Sequence, residues 1–330
     1  MEGRFCPSFY KKTHKINFTD DEKELISNVQ QELEEKFKIK VNLFEIIEMH
    51  ILNFTHDYKK YKELFLKKKP KIIFVVVAYE NKAVVAAAKD LGITVIELQH
   101  GTISNYHLGY SYPKGSRALG DIAYFPDKIL TFGDYWIDED YCPISKINII
   151  SIGFPYFEIQ SKEYIDINAN DNQILFISQG VIGKQLSKIA YELANACPDY
   201  KIIYKLHPGE YVTWRDNYPN LVKGDNLDNF SVIDNSETPL YQFFGESAYQ
   251  IGVCSTAIYE GLMFNCKTFV VDLPCIEYMA DLIEDNFVCK INNVDDLVDN
   301  LTTFKPRGYD KDFFFKNFDK TLLKKVIDNE

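Results

Sequence analysis

Positive charge is in short supply: 37 Lys and Arg stand against 48 Asp and Glu, for a net charge of −11. A protein that neutralises an extended nucleic-acid backbone needs the opposite balance, so an extended DNA footprint is excluded. Paired cysteines are missing too. The seven cysteines, at positions 6, 142, 197, 254, 266, 275 and 289, are odd in number, scattered and never in a C-x-x-C arrangement. That provides neither a disulfide framework nor a zinc site, and it suits a reducing cytoplasm. No segment approaches the ~18 apolar residues of a membrane span, and residues 1–16 hold no apolar run of signal-peptide length. A cytoplasmic chain is expected. Internal repeats and low-complexity segments are also absent.

What is present is ordinary globular material: 46% hydrophobic and 26% charged residues, with 16 Gly and 12 Pro. A length of 330 residues is about twice a typical domain. The aromatic share is 15%, from 24 Phe, 22 Tyr and 2 Trp. Such rings fill cores and also offer flat surfaces for sugars or bases.

The first seventy residues read as helices over 20–38 and 42–69, with apolar residues at three and four spacing: Leu25, Ile26, Val29 and Leu33, then Phe44, Ile47, Ile51 and Phe54. Thr19-Asp20 is the expected N-cap. The period changes at Lys71, where Ile72-Ile73-Phe74-Val75-Val76-Val77 reads as a parallel strand buried on both faces. Helix 80–91, strand 93–98, strand 128–132, helix 134–140 and strand 147–152 follow. After the polar stretch 158–172 the alternation resumes with strand 173–178, helix 182–196, strands 201–206 and 230–233, helix 237–245, strand 248–253, helix 255–264, strand 267–271 and helices after 293. This is βαβ logic in two α/β domains, divided as 1–155 and 156–330. Ligands in such sheets bind at the carboxyl ends of strands.

Three strand ends carry chemistry. In Glu97-Leu98-Gln99-His100-Gly101-Thr102 an imidazole leaves a strand just before a glycine turn, placed to exchange protons near neutral pH. In Tyr204-Lys205-Leu206-His207-Pro208-Gly209-Glu210, Pro208 keeps the preceding residue extended, which aims His207 off the strand end; with Lys205 it suits a phosphate. In Cys254-Ser255-Thr256-Ala257-Ile258-Tyr259-Glu260, hydroxyls and free N–H groups meet at the positive end of a helix, and Glu260 lies one turn up the same face, where it can accept from ribose hydroxyls. Each motif also has a plain structural reading: a surface histidine, a His-Pro turn, an ordinary Ser/Thr cap.

Together, the Gln-His-Gly, Lys-Leu-His-Pro and Ser-Thr-then-Glu motifs resemble the GT-B glycosyltransferases of bacterial surface polysaccharides. The narrower resemblance is to families using cytidine-nucleotide donors: sialyltransferases and polysialyltransferases, capsule Kdo transferases and teichoic-acid glycerophosphotransferases. It covers about residues 70–280. It implies two Rossmann-like domains facing a central cleft, here with a reduced or helix-led N-terminal acceptor-side domain and a C-terminal donor-binding domain. It also implies that His207 and Pro208 contact the nucleotide phosphate, that Ser255 and Thr256 bind the donor phosphate, that Glu260 faces the ribose and that His100 serves as base. The acidic-acidic-Gly motif that supplies the base in many sialyltransferases is absent, so His100 or Glu97 must fill that role on its own chemistry.

The expected function is therefore transfer of a sugar from a nucleotide-activated donor, CMP-sugars such as sialic acid or Kdo favoured, to a glycan or lipid-linked acceptor in capsule, lipopolysaccharide or related synthesis. An inverting, metal-independent reaction is expected, with no cofactor beyond the donor. The Asp138-Glu139-Asp140 triplet falls late in a predicted helix rather than at a strand end. The alternatives are a nucleotide-sugar 2-epimerase of the same architecture and a non-catalytic nucleotide- or glycan-binding subunit.

Further candidates are Gly180 and Gly183 after strand 173–178, where a glycine turn can approach the donor, and Glu97, Gln99, Gly101, Thr102 and Tyr110 on the acceptor side, with His107 and Tyr112 nearby. Asp272 and Glu277 can approach the sugar. Gly153-Phe154-Pro155-Tyr156 reads as a hinge. The basic run Lys59, Lys60, Lys62 and Lys67–Lys69, Lys71 around Leu64, Phe65 and Leu66 reads as a solvated helix end or as peripheral contact with the inner face of the plasma membrane.

Overall fold

The computed structural model describes residues 15–112, 124–136, 142–310 and 312–328. The chain opens with α1 (Asp20–Phe37) and α2 (Leu43–Lys68). Thr19 caps α1 through a capping box: its hydroxyl accepts the Glu22 N–H and the Glu22 carboxylate accepts the Thr19 N–H. Of the apolar stripe on α1, Ile26 is buried whereas Leu25 and Val29 are exposed. The strands that follow build two parallel sheets, one of four strands and one of six.

By compactness the described residues divide into a first unit, 15–98 with 124–128, and a second unit, 99–112 with 129–136, 142–310 and 312–328. In the first unit β1 (Ile72–Val75) runs parallel to β2 (Thr94–Leu98), from Ile72 opposite Thr94 to Val75 opposite Glu97. Helix α3 (Lys82–Lys89) connects them, and its Val85, Ala87 and Ala88 form a small core with Phe65 of α2 and with Ile93 and Val95. The expected doubly buried strand over 72–77 is shorter and half exposed. It ends at Val75, Phe74 is 43% exposed and Val76 48%, because β1 is the edge of its sheet and the chain turns at Val77, whose φ is +55°.

In the second unit residues 129–131 of β3 (Lys128–Thr131) pair with β4 (Ile149–Ser151). The six-stranded sheet comprises β5 (Asn170–Ile177), β6 (Lys201–Lys205), β7 (Phe230–Ile233), β8 (Ser247–Gly252), β9 (Lys267–Val271) and β10 (Cys289–Ile291). From β5 the chain winds outward through β6 and β7, then returns to the other side of β5 for β8. The strand order thus reverses between β5 and β8, and the carboxyl ends of strands at such a switch are where ligands bind in sheets of this kind.

Aromatic residues fill much of the core of this unit. Phe132 stacks on Phe154 with ring centroids 4.0 Å apart, and Trp136, Phe157, Tyr259, Phe314 and Phe315 belong to the same cluster. Residues 313–316 are stitched to residues 132–136 by backbone: the Tyr135 N–H donates to Phe313 O at 2.9 Å, the Lys316 N–H to Phe132 O at 2.8 Å, and Trp136 Nε1 to Phe314 O at 2.8 Å.

Three expectations change. The helix expected over 134–140 is, in its described part, a 3-10 turn at Asp134–Trp136, and Asp138-Glu139-Asp140 lies outside the described residues. The polar stretch 158–172 holds the end of a short helix, α4 (Pro155–Ser161), started by Pro155 at its first turn, and the first residues of β5. The segment read as a hinge is pinned: the Phe154 N–H donates to Lys316 O, and Gly153, with φ +92°, leaves room for a Cβ only 2.4 Å from Asn317 O.

Candidate functional site

Strand β6 brings Lys205 to the carboxyl edge of the six-stranded sheet, and Leu206 and His207 follow. Pro208 then starts a 3-10 turn over Pro208–Glu210, with His207 as its cap. The Gly209 N–H donates to His207 Nδ1 at 3.1 Å. In the neutral ring the proton therefore sits on Nε2, which leaves that atom as a donor on an exposed side chain.

Behind the histidine stands a buried carboxylate. Glu210 is 4% exposed; its Oε2 accepts the His207 N–H at 2.8 Å, while its Oε1 accepts Ser178 Oγ at 3.0 Å and the Tyr218 hydroxyl at 2.7 Å. Tyr204 donates to Ser178 Oγ in turn. Burial and the adjoining Glu210 push the Tyr218 hydroxyl well above its ordinary value. The network needs a glycine at position 183, since a Cβ there would stand 2.5 Å from Glu210 Oε1 and 2.6 Å from the Tyr218 hydroxyl. Gly183 therefore makes room for the protein's own carboxylate. At Gly180 a Cβ would meet nothing nearer than Glu210 Cγ at 4.0 Å.

Lys205 is 9% exposed and spends its ammonium protons on neutral oxygens: Leu206 O at 3.2 Å, Asn235 O at 3.0 Å and the Tyr211 hydroxyl. Its charge also sits 4.7 Å from the Tyr211 ring centroid. Among the described ion pairs none involves Lys205. Its protons are thus all engaged within the protein, while its charge has no carboxylate beside it among the described ion pairs.

Helix α5 (Thr256–Met263) begins beside β8, with Ser255 as N-cap; its Oγ accepts the Ala257 N–H at 3.2 Å. Across the β5–β8 switch, Gln179 is tied to Cys254: its Nε2 donates to Cys254 O at 3.4 Å and its Oε1 accepts from the thiol at 3.2 Å. Burial pushes that thiol up to about 12, which keeps it protonated. Lys205, His207, Pro208, Ser178 and Ser255 all line one cavity of about 440 Å³, together with Tyr211 and Ser236. Tyr211 and Ser236 had no sequence signal of their own; Tyr211, one turn past the His-Pro pair, was the more findable.

The remaining expected residues are placed as follows. Gln99 is a strut: its Oε1 accepts the Phe132 N–H and its Nε2 donates to Gly101 O, both at 2.8 Å. His100 is exposed next to it, and Gly101 lies against Thr256, where a Cβ would stand 3.7 Å from the Thr256 hydroxyl. Thr102 is half-buried in the same segment. Glu97 is wholly buried and accepts the Ala78 N–H at 2.9 Å. Tyr110 is buried, its ring 5.0 Å from that of His107, which in turn stands edge-on to Tyr278. Burial holds the His107 imidazole below its usual value. Glu260 is not on the cavity wall; burial raises its carboxyl to about 7, against the opposing pull of a hydrogen bond with Tyr241. Asp272 is exposed and paired with Lys290 at 2.9 Å, and Glu277 is exposed.

No protein-family model matches the sequence, and no curated protein does. Solved structures share its fold. The UDP-GlcNAc 2-epimerase of Methanocaldococcus jannaschii, in complex with UDP-GlcNAc and UDP, aligns with a TM-score of 0.58 at 12% identity over 85% of this chain and 82% of that one. The glycotransferase of kitacinnamycin aligns at 0.54, with 11% identity over 80% and 76%. The S. aureus MnaA-UDP structure aligns at 0.50, with 15% identity over 83% and 78%. At such identities the likeness is one of fold: an α/β chain with two parallel sheets, as in GT-B glycosyltransferases and UDP-GlcNAc 2-epimerases.

Proposed function

We propose that this chain is a glycosyltransferase that moves a sugar from a nucleotide-activated donor to a glycan or lipid-linked acceptor. The observation that carries the proposal is the cavity at the ends of β5, β6 and β8, where Lys205 presents a charge held only by neutral oxygens beside His207 Nε2 and the Ser255 helix cap. Lys205 through its charge, and His207 Nε2 and the helix cap through hydrogen bonds, suit a departing phosphate, whose negative charge grows as the glycosidic bond breaks. His100, in the segment that touches Thr256, takes the acceptor's hydroxyl proton. The reaction is inverting and uses no metal. The donor is a CMP-sugar such as sialic acid or Kdo, in keeping with the sequence motifs, and the product belongs to a capsule, lipopolysaccharide or related surface polysaccharide. The part of the chain before about residue 155 serves the acceptor and the part after it the donor, a functional division that differs from the two compact units. Among the described residues no helix is long and apolar enough to cross a membrane; contact with a membrane surface, where the acceptor is lipid-linked, is peripheral.

A thermal-shift series with CMP, CDP, UDP and GDP tests the proposal. Selective stabilisation by CMP or CDP is expected, with loss of the shift in His207→Ala. Selective stabilisation by UDP would replace the cytidine donor, and no shift with any nucleotide would remove the proposal. A second reading, a nucleotide-sugar 2-epimerase, is favoured by the fold shared with the M. jannaschii enzyme. Turnover of the donor that needs an acceptor separates the transferase from it.

A further inference from the structure

The first unit contains a cavity of about 1030 Å³, lined by α2 and by the turn that follows β1. It shares no lining residue with the pocket around His207. The turn is built with care. Val77 is a β-branched residue held at φ +55°, a conformation that L side chains avoid. Neighbouring groups fix it there. The wholly buried Glu97 carboxylate accepts the Ala78 N–H at 2.9 Å, and the Asn81 amide donates to Val76 O at 3.2 Å and Val77 O at 3.1 Å. Strain that is clamped on both sides marks a segment whose shape is needed. What this segment presents to the cavity is Tyr79 and Glu80.

The facing wall is α2. Asn53 lines it, its Oδ1 closed off from solvent and without a hydrogen-bond partner. One turn on, Asp57 adds a carboxylate. Phe54 lies between them, and the ring of Tyr124 stands edge-on against it, with centroids 5.2 Å apart and planes at 77°. Tyr124 is 46% exposed. The lining carries Asp57 and Glu80 against Lys82 as its fixed charges, so it does not favour an anion. Ring faces for C–H surfaces, beside carboxylate acceptors for hydroxyl groups, match an uncharged sugar, and the volume is large enough for more than one ring.

We propose that this cavity binds a neutral oligosaccharide, as a site of its own that does not depend on the nucleotide reading. Saturation-transfer NMR on the full chain with maltotriose, cellotriose and triacetylchitotriose tests it. Transfer to the C–H protons of at least one of the three is expected. Tyr124→Ala and Asp57→Ala should each weaken its affinity by about tenfold, the measure of one lost ring contact or charged hydrogen bond. Tyr124 is exposed and its truncation spares the core; Asp57→Ala tests the same site through a different contact. Nucleotide-induced thermal shifts should be the same in both variants as in the parent, so a nucleotide failure and a saccharide failure read out separately. No transfer with any of the three sugars, undiminished affinity in both variants, or displacement of the sugar by CMP would each overturn the proposal.

Discussion

Gly101 lies against Thr256, with room for a Cβ at 3.7 Å from the threonine hydroxyl. Two motifs far apart in the chain, Gln-His-Gly and Ser-Thr, therefore meet inside one compact unit. His100 is thus next to a helix start whose cap also lines the cavity of Lys205 and His207. A larger side chain at position 101 would press on that start. Gly101→Val should weaken nucleotide binding while leaving the melting temperature within about 2 °C of the parent, a split read by titration calorimetry and thermal unfolding. Equal loss in both would show a packing role alone.

His207 donates through Nε2 because Gly209 occupies Nδ1. Replacement by Ala removes a hydrogen bond to a charged group, worth about 1.5–3 kcal/mol, and should raise the Kd for the bound nucleotide about 10- to 100-fold. Calorimetry checks this. An unchanged Kd would place the histidine outside the site.

Lys205→Met removes a largely buried charge and leaves only neutral acceptors behind. Binding of a nucleoside diphosphate should weaken about 10-fold or more and lose part of its salt dependence, while the free protein loses about 1–3 kcal/mol of stability from the acceptors left unpaired. Affinity measured at two ionic strengths decides it. A variant that unfolds would mean that the ammonium holds the Tyr211 and Asn235 loops together.

Glu260 makes stability depend on pH in a direction opposite to most carboxylates. The unfolded chain releases its proton near 4.5, the folded chain near 7. Between those values the folded state binds more protons, so the stabilisation is complete below the unfolded value and is lost as pH rises through about 7. The loss is on the order of 3 kcal/mol. Glu260→Gln should therefore melt several degrees above the parent at about pH 8 and with it at about pH 5. Parallel melting curves across that range would contradict the raised value.

Gly153 has φ +92° and Asn317 O would lie 2.4 Å from an added Cβ. Gly153→Ala should destabilise the protein by about 2 kcal/mol or more, seen as a drop in the denaturation midpoint.

Much of the second unit was legible in the sequence because its strands are apolar runs ending in Gly, Pro or Ser, and periodicity alone locates them. The helix of residues 183–196 and the strand of residues 201–205 fall within a residue of expectation. Short elements escaped, among them the helical turns Trp214–Asn217 and Pro219–Gly224 and the strand Cys289–Ile291, since three to six residues hold too little pattern. Of the candidate site, Lys205, His207, Pro208 and Ser255 were visible because backbone chemistry fixes them at strand ends. Gly183 and Glu97 were read as ligand-facing, yet each serves a buried carboxylate contact. Sequence shows that a glycine permits close approach; it does not say which atom approaches.

The stitching of residues 313–316 onto residues 132–136 sets an order in time. A ribosome releases Phe132 and Trp136 long before Phe314, whose carbonyl holds the Trp136 indole and whose ring closes their core cluster. Until then the large aromatic side chains of the second unit have no lid, and the nascent chain must keep them from other chains. Synthesis of this protein is therefore most exposed to aggregation during the stretch between those two segments, and slow translation there would lengthen the danger.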